Sequence, residues 1–288
     1  MIKNRNAAWA LAFVGANIIL FLIFFLGPAL LGLYYSFTDY SGISASFIGL
    51  ENYIELFQDS SFYGALFRTI VYAGIGVPLI YSVSLGVSLL LTSSKTRGKG
   101  LAKIAFFFPW LISPIIAGVI WRWLFGESFG FVNFILGSLG LGSVPWSSNG
   151  IMAFVVLFFA TVWIGTAFNM LLFMSALVNI PKTYYDAAMI DGANTIQKFW
   201  HITLPALRPT SFMVVLLSVF NLMKEFPLIQ SLTDGGPGSD TTLLVQYIYE
   251  TGFNQLNIGY ASAASMILFV LLMSFALLRL RGEKRWEN

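Results

Sequence analysis

The chain has no cysteine, a single histidine and few charges. Without cysteine there can be neither a disulfide framework nor a thiolate metal site. One histidine, His201, and no paired acids inside the apolar stretches leave an intramembrane enzyme almost nothing to work with. Charged residues are 10% of 288, against about 25% in an ordinary soluble domain. That deficit excludes the soluble classes and leaves no basic surface for nucleic acid. A phosphate loop of the form G-x-x-x-x-G-K-[ST] is also missing. The nearest Gly-Lys pair, Gly98-Lys99, lacks both the upstream glycine and the Ser/Thr, so the chain does not itself hydrolyse ATP.

What the chain has in quantity is apolar length. Hydrophobic residues are 57% and aromatics 17%, gathered in runs of about 20 residues that suit a bilayer. Six spans are expected at 8–36, 69–92, 103–125, 150–178, 206–228 and 258–280. Lipid offers no water to stray backbone groups, so each should be a helix. The fold class expected is an all-α membrane protein, one transmembrane domain over 1–288. The first run is longer than a signal-peptide core and lacks a small-x-small cleavage site, so it reads as a retained helix. Pro78, Pro109 and Pro114 are candidate kinks.

Charge then orients the spans. An even number places both termini on one side. That side collects Lys3, Arg5, Lys95, Arg97, Lys99, Lys103, Lys182, Lys198, Arg208, Arg279, Arg281, Lys284 and Arg285, 13 of the 16 basic residues. The positive-inside rule makes it cytoplasmic. The other side keeps Arg68, Arg122 and Lys224 among an excess of acids. Its loops, roughly 38–68, 126–149 and 229–257, include Phe47 to Phe57, spaced for an amphipathic helix on the membrane face. They also include the turn-rich Thr233-Asp234-Gly235-Gly236-Pro237-Gly238 and a short helical candidate at Leu243–Tyr249.

Between spans four and five the cytoplasmic loop, about 179–205, carries an ordered-looking polar island. Pro181 is placed for a helix start, residues 182–191 can make about three turns, and Gly192 is a left-handed stop. Tyr184, Ala187, Ala188 and Asp191 share one face by i, i+3, i+4, i+7 spacing. Two alanines let a partner approach the backbone, and the carboxylates of Asp186 and Asp191 offer acceptors. Helical periodicity alone would equally suit a helix lying under the bilayer. The longer pattern is more specific: acid-Ala-Ala-x3-Gly-x9-Ile-x-Leu-Pro, from Asp186 through Gly192 to Ile202, Leu204 and Pro205. It resembles the EAA loop of the permease subunits of bacterial ATP-driven importers, with Asp186 where the family more often has Glu. The resemblance implies that this helix sits in a cleft of a separate ATP-binding subunit and carries its closing motion into the membrane.

Further segments are similar to the carbohydrate branch of that family: Phe25-Leu26-Gly27-Pro28 through Tyr40, Phe47 to Phe57, and Leu232 to Pro237 with Thr241 and Tyr247-Ile248-Tyr249 after it. They look most like the first permease subunit of maltose, multiple-sugar and glycerol-3-phosphate importers. This implies a second six-helix permease, two ATP-binding subunits, an extracytoplasmic sugar-binding protein and a carbohydrate substrate, in a bacterial cytoplasmic membrane. It implies no cofactor or metal on this chain, ATP being used by the partner.

Sugars are gripped by hydrogen-bonding groups and aromatic faces, so polar residues facing the bundle interior are the pathway candidates. Span four offers Trp163, Thr166 and Asn169, with Met170 on the same face; span five offers Asn221, Lys224 and Glu225. Against these roles stand simpler ones. Lys224 and Arg122 can snorkel to the outer boundary, Glu225 can neutralise Lys224, and Asn169 can serve an interhelical hydrogen bond. The run Ala261-Ser262-Ala263-Ala264-Ser265 reads as a close packing face, and His201 as solvated. Two other functions compete. A stand-alone secondary transporter would need an intramembrane carboxylate, for which only Glu225 stands near span depth. An importer permease for a non-sugar solute such as glycerol 3-phosphate shares the same loop.

Overall fold

The structure is a computed structural model that describes residues 14–93 and 96–287, with side chains as far as residue 282. The beginning of the first expected span, Lys3, Arg5 and Lys95, and the side chains of Lys284 and Arg285 lie outside the described residues. Among the described residues there is no strand, only one isolated bridge from Thr38 to Phe47.

The helices are α1, Val14–Tyr35; α2, Glu51–Leu56; α3, Ser60–Thr92; α4, Lys99–Phe107; α5, Pro114–Leu124; α6, Phe131–Ser138; α7, Gly150–Val178; and α8, Lys182–Ile190. They continue with α9, Thr195–Lys198; α10, Arg208–Met223; α11, Pro227–Leu232; α12, Leu244–Tyr249; and α13, Ile258–Glu287. Four of them, α1, α3, α7 and α13, are long and apolar enough to cross a membrane alone, and two bent pairs raise the number to as many as six. At 1.5 Å per residue the 33 residues of α3 span about 50 Å, well beyond the ~30 Å hydrocarbon layer. Spans four and six fall close to α7 and α13. The expected 69–92 begins nine residues late, because Asp59 accepts the N–H of Ser61 at 2.7 Å and starts α3 there.

Two spans expected as single helices are broken. The stretch 103–125 turns through 106° between Lys99–Leu111 and Pro114–Leu124. The ring of Pro114 disfavours helical backbone in the residue before it, and Ser113 is extended at ψ 138. Pro109 lies in a 3-10 turn, Phe108–Leu111, just upstream. The stretch 206–228 bends through 68° at Leu207, and its helix ends at Met223, with non-helical Lys224–Phe226 before α11. Pro78, by contrast, interrupts nothing: α3 runs through it. The helix expected over 47–57 forms only at Glu51–Leu56, since Gly49 turns the chain at φ +66.

The chain folds as two compact units, Met1–Tyr63 with Tyr247–Asn288, and Gly64–Gln246. In the first, α1 and α2 both pack on α13. Asn52 donates to the carbonyls of Ser36 and Thr38 at 3.0 and 2.8 Å. Asp59 accepts from Tyr247, and from Tyr260 at 3.1 Å. Burial pushes the Asp59 carboxyl up, yet the hydrogen bonds from Tyr247, Ser61 and Tyr260 outweigh it and hold it below the ordinary value. Ala261, Ala263 and Ala264 are buried, the close packing face read from the sequence.

In the second unit the core joins Tyr72, Val77 and Ile80 of α3, Ala117 of α5, Val156, Leu157 and Ala160 of α7, Leu222 of α10 and Leu228, Ile229 and Leu232 of α11. Helices α5 and α11 meet at Gly118, where a Cβ would fall 1.9 Å from Ser231 Oγ. No larger residue fits without displacement.

Candidate functional site

Two assemblies within the second unit carry the candidate residues. The first is the segment Lys182–Ala206. Helix α8 starts after Pro181, which takes the N-cap position with ψ 130 rather than the first turn. It stops where the Ala193 N–H reaches Ala188 O at 2.8 Å and the Gly192 N–H reaches Met189 O at 3.1 Å. That pair of bonds is a Schellman cap, and it requires the left-handed φ of +76 that Gly192 supplies. Asn194 and Gln197 then form a reciprocal capping box that launches α9. A π turn, Phe199–Thr203, brings in Phe199 and Leu204, which pack on Leu85, Phe173, Leu207 and Val214. Tyr185 ties α8 back to Thr203 by a 2.9 Å hydrogen bond.

The anchoring face of α8 is therefore Tyr185 with half-buried Ala188, and the outward face carries Tyr184, Asp186, Ala187 and Asp191. Of the face expected from spacing, only Ala188 turns partly inward. Ile202, Leu204 and Pro205 are half-buried. Apolar side chains nevertheless point to solvent: Ile190 is 89% exposed, Ile196 70%, and Tyr184 and Trp200 59% each. His201 is exposed, as expected, with Nδ1 3.0 Å from Gln197 O.

The second assembly is a cavity of about 450 Å³. Its wall takes Ile80 from α3, Trp110 and Pro114 from the α4–α5 break, Thr161, Ile164, Gly165 and Asn169 from α7, and Ser218, Asn221, Lys224 and Glu225 from α10 and its end. The Asn169 amide donates to Gly165 O at 3.0 Å and to Ser218 Oγ at 3.3 Å, an interhelical bond that holds α7 to α10 beside the opening. Glu225 does not pair with Lys224; it accepts the N–H of Leu228 at 3.2 Å and caps α11. Trp110 stacks on Phe168 with centroids 4.8 Å apart.

Four of the six expected pathway residues, Asn169, Asn221, Lys224 and Glu225, line this cavity, while Trp163 and Thr166 do not. Trp163 meets Trp121 edge to face at 5.9 Å. Thr166 is buried, its hydroxyl without a hydrogen-bond partner among the described residues. At about 100° per residue, Trp163 and Thr166 lie about 150° around α7 from the stripe formed by Thr161, Ile164 and Gly165. Sequence reasoning also passed over Ser218, Thr161 and Trp110. A signal for Ser218 was present, because Ser218, Asn221, Leu222 and Glu225 repeat at i, i+3, i+4, i+7. Nothing local announced Trp110.

A wider hollow of about 710 Å³ lies between the end of α5 and the 232–237 turn, with Arg122, Trp123, Glu127, Phe129 and Trp146 on its wall. Glu127 accepts the N–H groups of Ser148 and Ser147 at 2.6 and 2.8 Å. These bonds draw its carboxyl down from 4.5 to about 2.

The described residues are almost wholly helical, with four to six stretches long and apolar enough to cross a membrane, and solved structures share this fold. A bacterial ABC transporter involved in the import of the acidic polysaccharide alginate superposes with a TM-score of 0.87 at 24% identity over 98% of each chain. The bacterial alginate ABC transporter in complex with alginate pentasaccharide-bound periplasmic protein superposes with a TM-score of 0.85 at 24% identity, over 99% of this chain and 97% of that one. The chain belongs to the binding-protein-dependent transport system inner membrane component family, matched over residues 42–285. It is similar to the sn-glycerol-3-phosphate transport system permease protein UgpA of Yersinia pseudotuberculosis, 34% identical over 91% of this chain and 90% of that one. It is also similar to the sulfoquinovosyl glycerol transport system permease protein SmoG of Agrobacterium fabrum, 32% identical over 86% and 80%.

Proposed function

We propose that this chain is one permease half of an ATP-driven carbohydrate importer in a bacterial cytoplasmic membrane. The observation that carries the proposal is the Asp186-to-Pro205 spacing, folded as an exposed helix closed by a Schellman cap at Gly192 and tied to Thr203 through Tyr185, in a chain of this family. On this reading each bent pair is one span, giving six in a single transmembrane domain, and both termini and α8 lie on the cytoplasmic side with most of the basic residues. Tyr184, Asp186, Ala187 and Asp191 face a separate ATP-binding subunit, with Ala188, Gly192, Ile202, Leu204 and Pro205 holding the helix against it. A rigid helix is what transmission of force requires, and the Schellman cap and the Tyr185–Thr203 bond keep this one from fraying.

The substrate side is the 450 Å³ cavity, half of a pathway completed by a second six-helix permease. Asn169, Asn221, Lys224 and Glu225 supply its hydrogen-bonding groups and Trp110 an aromatic face. Non-helical backbone at Lys224–Phe226 is tolerated at membrane depth where it lines such a cavity. Trp163 and Thr166 act, on this reading, through the packing of α7. Relatives named for glycerol 3-phosphate, sulfoquinovosyl glycerol and alginate support a sugar or polyol cargo delivered by an extracytoplasmic binding protein. ATP is hydrolysed by two partner subunits, and this chain contributes binding and reorientation but no bond chemistry.

Affinity purification in mild detergent tests the assignment. An importer half brings an ATP-binding subunit and a second permease with it, and the Asp186→Lys variant releases the ATP-binding subunit while still inserting. Recovery of the chain alone, transporting without ATP, would establish a secondary transporter instead.

A further inference from the structure

Helix α4 is turned through 106° from α5, the part of that bent pair embedded in the core beside α7. Such a turn lays α4 along a membrane surface rather than through the bilayer. Its Ala102 packs on Leu91, near the end of α3, and on Met170 and Met174 of α7. Those methionines stand eight and four residues before Val178, the last residue of α7, about 12 and 6 Å along its axis. An amphipathic helix in the membrane interface beds about 5–10 Å into the boundary between headgroups and acyl chains. The depth of α4 matches.

The faces of α4 match as well. At about 100° per residue, Lys99 and Lys103 lie about 60° and 100° to one side of Ala102, and Leu101 about 100° to the other. With Ala102 turned to the bundle, the lysines face water and Leu101 faces hydrocarbon. Ile104, nearly opposite Ala102, faces outward. Leu101 is 78% exposed and Ile104 66%, although both are apolar. Lys103 and Arg97 are exposed and Lys99 is half-buried.

The charge here has one sign. Lys95, Arg97, Lys99 and Lys103 crowd the start of this helix, and the sequence holds no acid between Asp59 and Glu127. None of Arg97, Lys99 and Lys103 makes an ion pair with a described residue. A soluble anion would answer the cations and leave Leu101 and Ile104 in water. A phospholipid answers both, its phosphate meeting the cations and its chains covering the apolar side. Four or more basic residues on an amphipathic helix are the pattern that anionic lipid attracts, each strengthening attachment about fivefold.

We infer that α4 is an interfacial helix that gathers anionic phospholipid around this chain, with Arg97, Lys99 and Lys103 on the headgroups and Leu101 and Ile104 among the acyl chains. That the leaflet is the cytoplasmic one rests on the orientation proposed above.

The test uses the chain with its copurifying subunits in nanodiscs of equal phosphatidylglycerol and phosphatidylcholine. A benzophenone amino acid replaces Leu101, and irradiation followed by mass spectrometry identifies what lies against α4. Lipid adducts should dominate, with phosphatidylglycerol favoured about threefold or more over phosphatidylcholine. Combining Arg97→Gln, Lys99→Gln and Lys103→Gln should bring the ratio to about one, while Arg281→Gln, an exposed cation on α13, should leave it unchanged. Copurification of the ATP-binding subunit verifies that the triple variant is assembled. Equal adducts of the two lipids in the wild type, or a preference that survives the triple substitution, overturns the inference and leaves the importer reading standing. Adducts mainly to a protein subunit overturn it too, making α4 a subunit contact. A wild-type chain that purifies without an ATP-binding subunit sinks the importer reading alone, because the adduct ratio is read from the same sample.

Discussion

The Lys182–Ala206 segment and the 450 Å³ cavity lie in the same unit and are built in opposite ways. The segment is continuous: one stretch of chain supplies its helix, both caps, its anchor and its outward face. The cavity is convergent, drawing from α3, the α4–α5 break, α7, α10 and α11 residues up to 148 positions apart, Ile80 to Leu228. Under the proposed function the segment fits a foreign protein, and rigidity fixed by its own local hydrogen bonds suits that. Under the same proposal the cavity opens and closes, and walls on separate helices can move apart without any of them unfolding. The two should therefore fail differently.

The sharpest separation comes from Gly192→Pro. Proline cannot adopt φ +76 and removes the N–H that reaches Met189 O. Uptake in the reconstituted system should fall more than a hundredfold, and substrate-stimulated ATPase activity with it, while membrane insertion is retained. Gly192→Asn should recover most of the loss, because Asn visits the left-handed region. A Gly192→Pro variant that transports normally would erase the contrast. The next effect is on the cavity: Asn169→Leu removes the α7–α10 bond to Ser218 and should lower uptake about tenfold, by analogy with the cost of a buried polar group left unpaired. The ATP-binding subunit should stay attached. Its release would mean that the two regions are one mechanical unit.

The same contrast governs what could be read from the sequence. In the continuous segment the helix start after Pro181 and the stop at Gly192 were legible as local signals, while the Asn194–Gln197 capping box and the Phe199 and Leu204 anchor were not read. Its error was orientation: spacing grouped Ala188 with Tyr184, and only the Tyr185–Thr203 bond reveals which side of α8 faces inward. Long spans were legible from apolar length alone. The break at Ser113 was foreshadowed by Pro109 and Pro114 as candidate kinks, whereas the same signal at Pro78 leaves α3 continuous and the break at Leu207 was not read. The difference lies in what surrounds each ring, which is tertiary. For α7, a helix apolar on every side has no polar face to orient it, and Trp163 and Thr166 lie away from the cavity. In span five Asn221, Lys224 and Glu225 stand out from their neighbours, and all three line the cavity.

Packing at the cavity's outer wall gives a smaller effect. Gly118→Ala places a methyl 1.9 Å from Ser231 Oγ and 3.0 Å from Leu228 O, and overpacking of this kind costs about 1–3 kcal/mol. The thermal midpoint in detergent should drop by several degrees. Adding Ser231→Gly should restore much of it by clearing both contacting side-chain atoms. If the double variant is no better than the single, the α5–α11 contact yields elsewhere.

The smallest effect belongs to the loop after α5, which is part of neither region. Glu127 has its carboxyl drawn from 4.5 to about 2 by the N–H groups of Ser148 and Ser147. A depressed folded-state value means that the ionised form holds the loop. Its contribution is complete above about pH 4.5 and is lost as pH falls from there towards 2. Amide hydrogen exchange at Ser147 and Ser148, corrected for intrinsic rates, should show protection falling across that window in the wild type. In Glu127→Gln it should be weaker at neutral pH and flat through the acid range. The Asn169–Ser218 bond contains no group that titrates there, so exchange in the middle of α7 should not follow Glu127. Protection lost together in both places would show that the loop and the cavity wall open as one cooperative body, and the loop would then no longer stand apart from the convergent region.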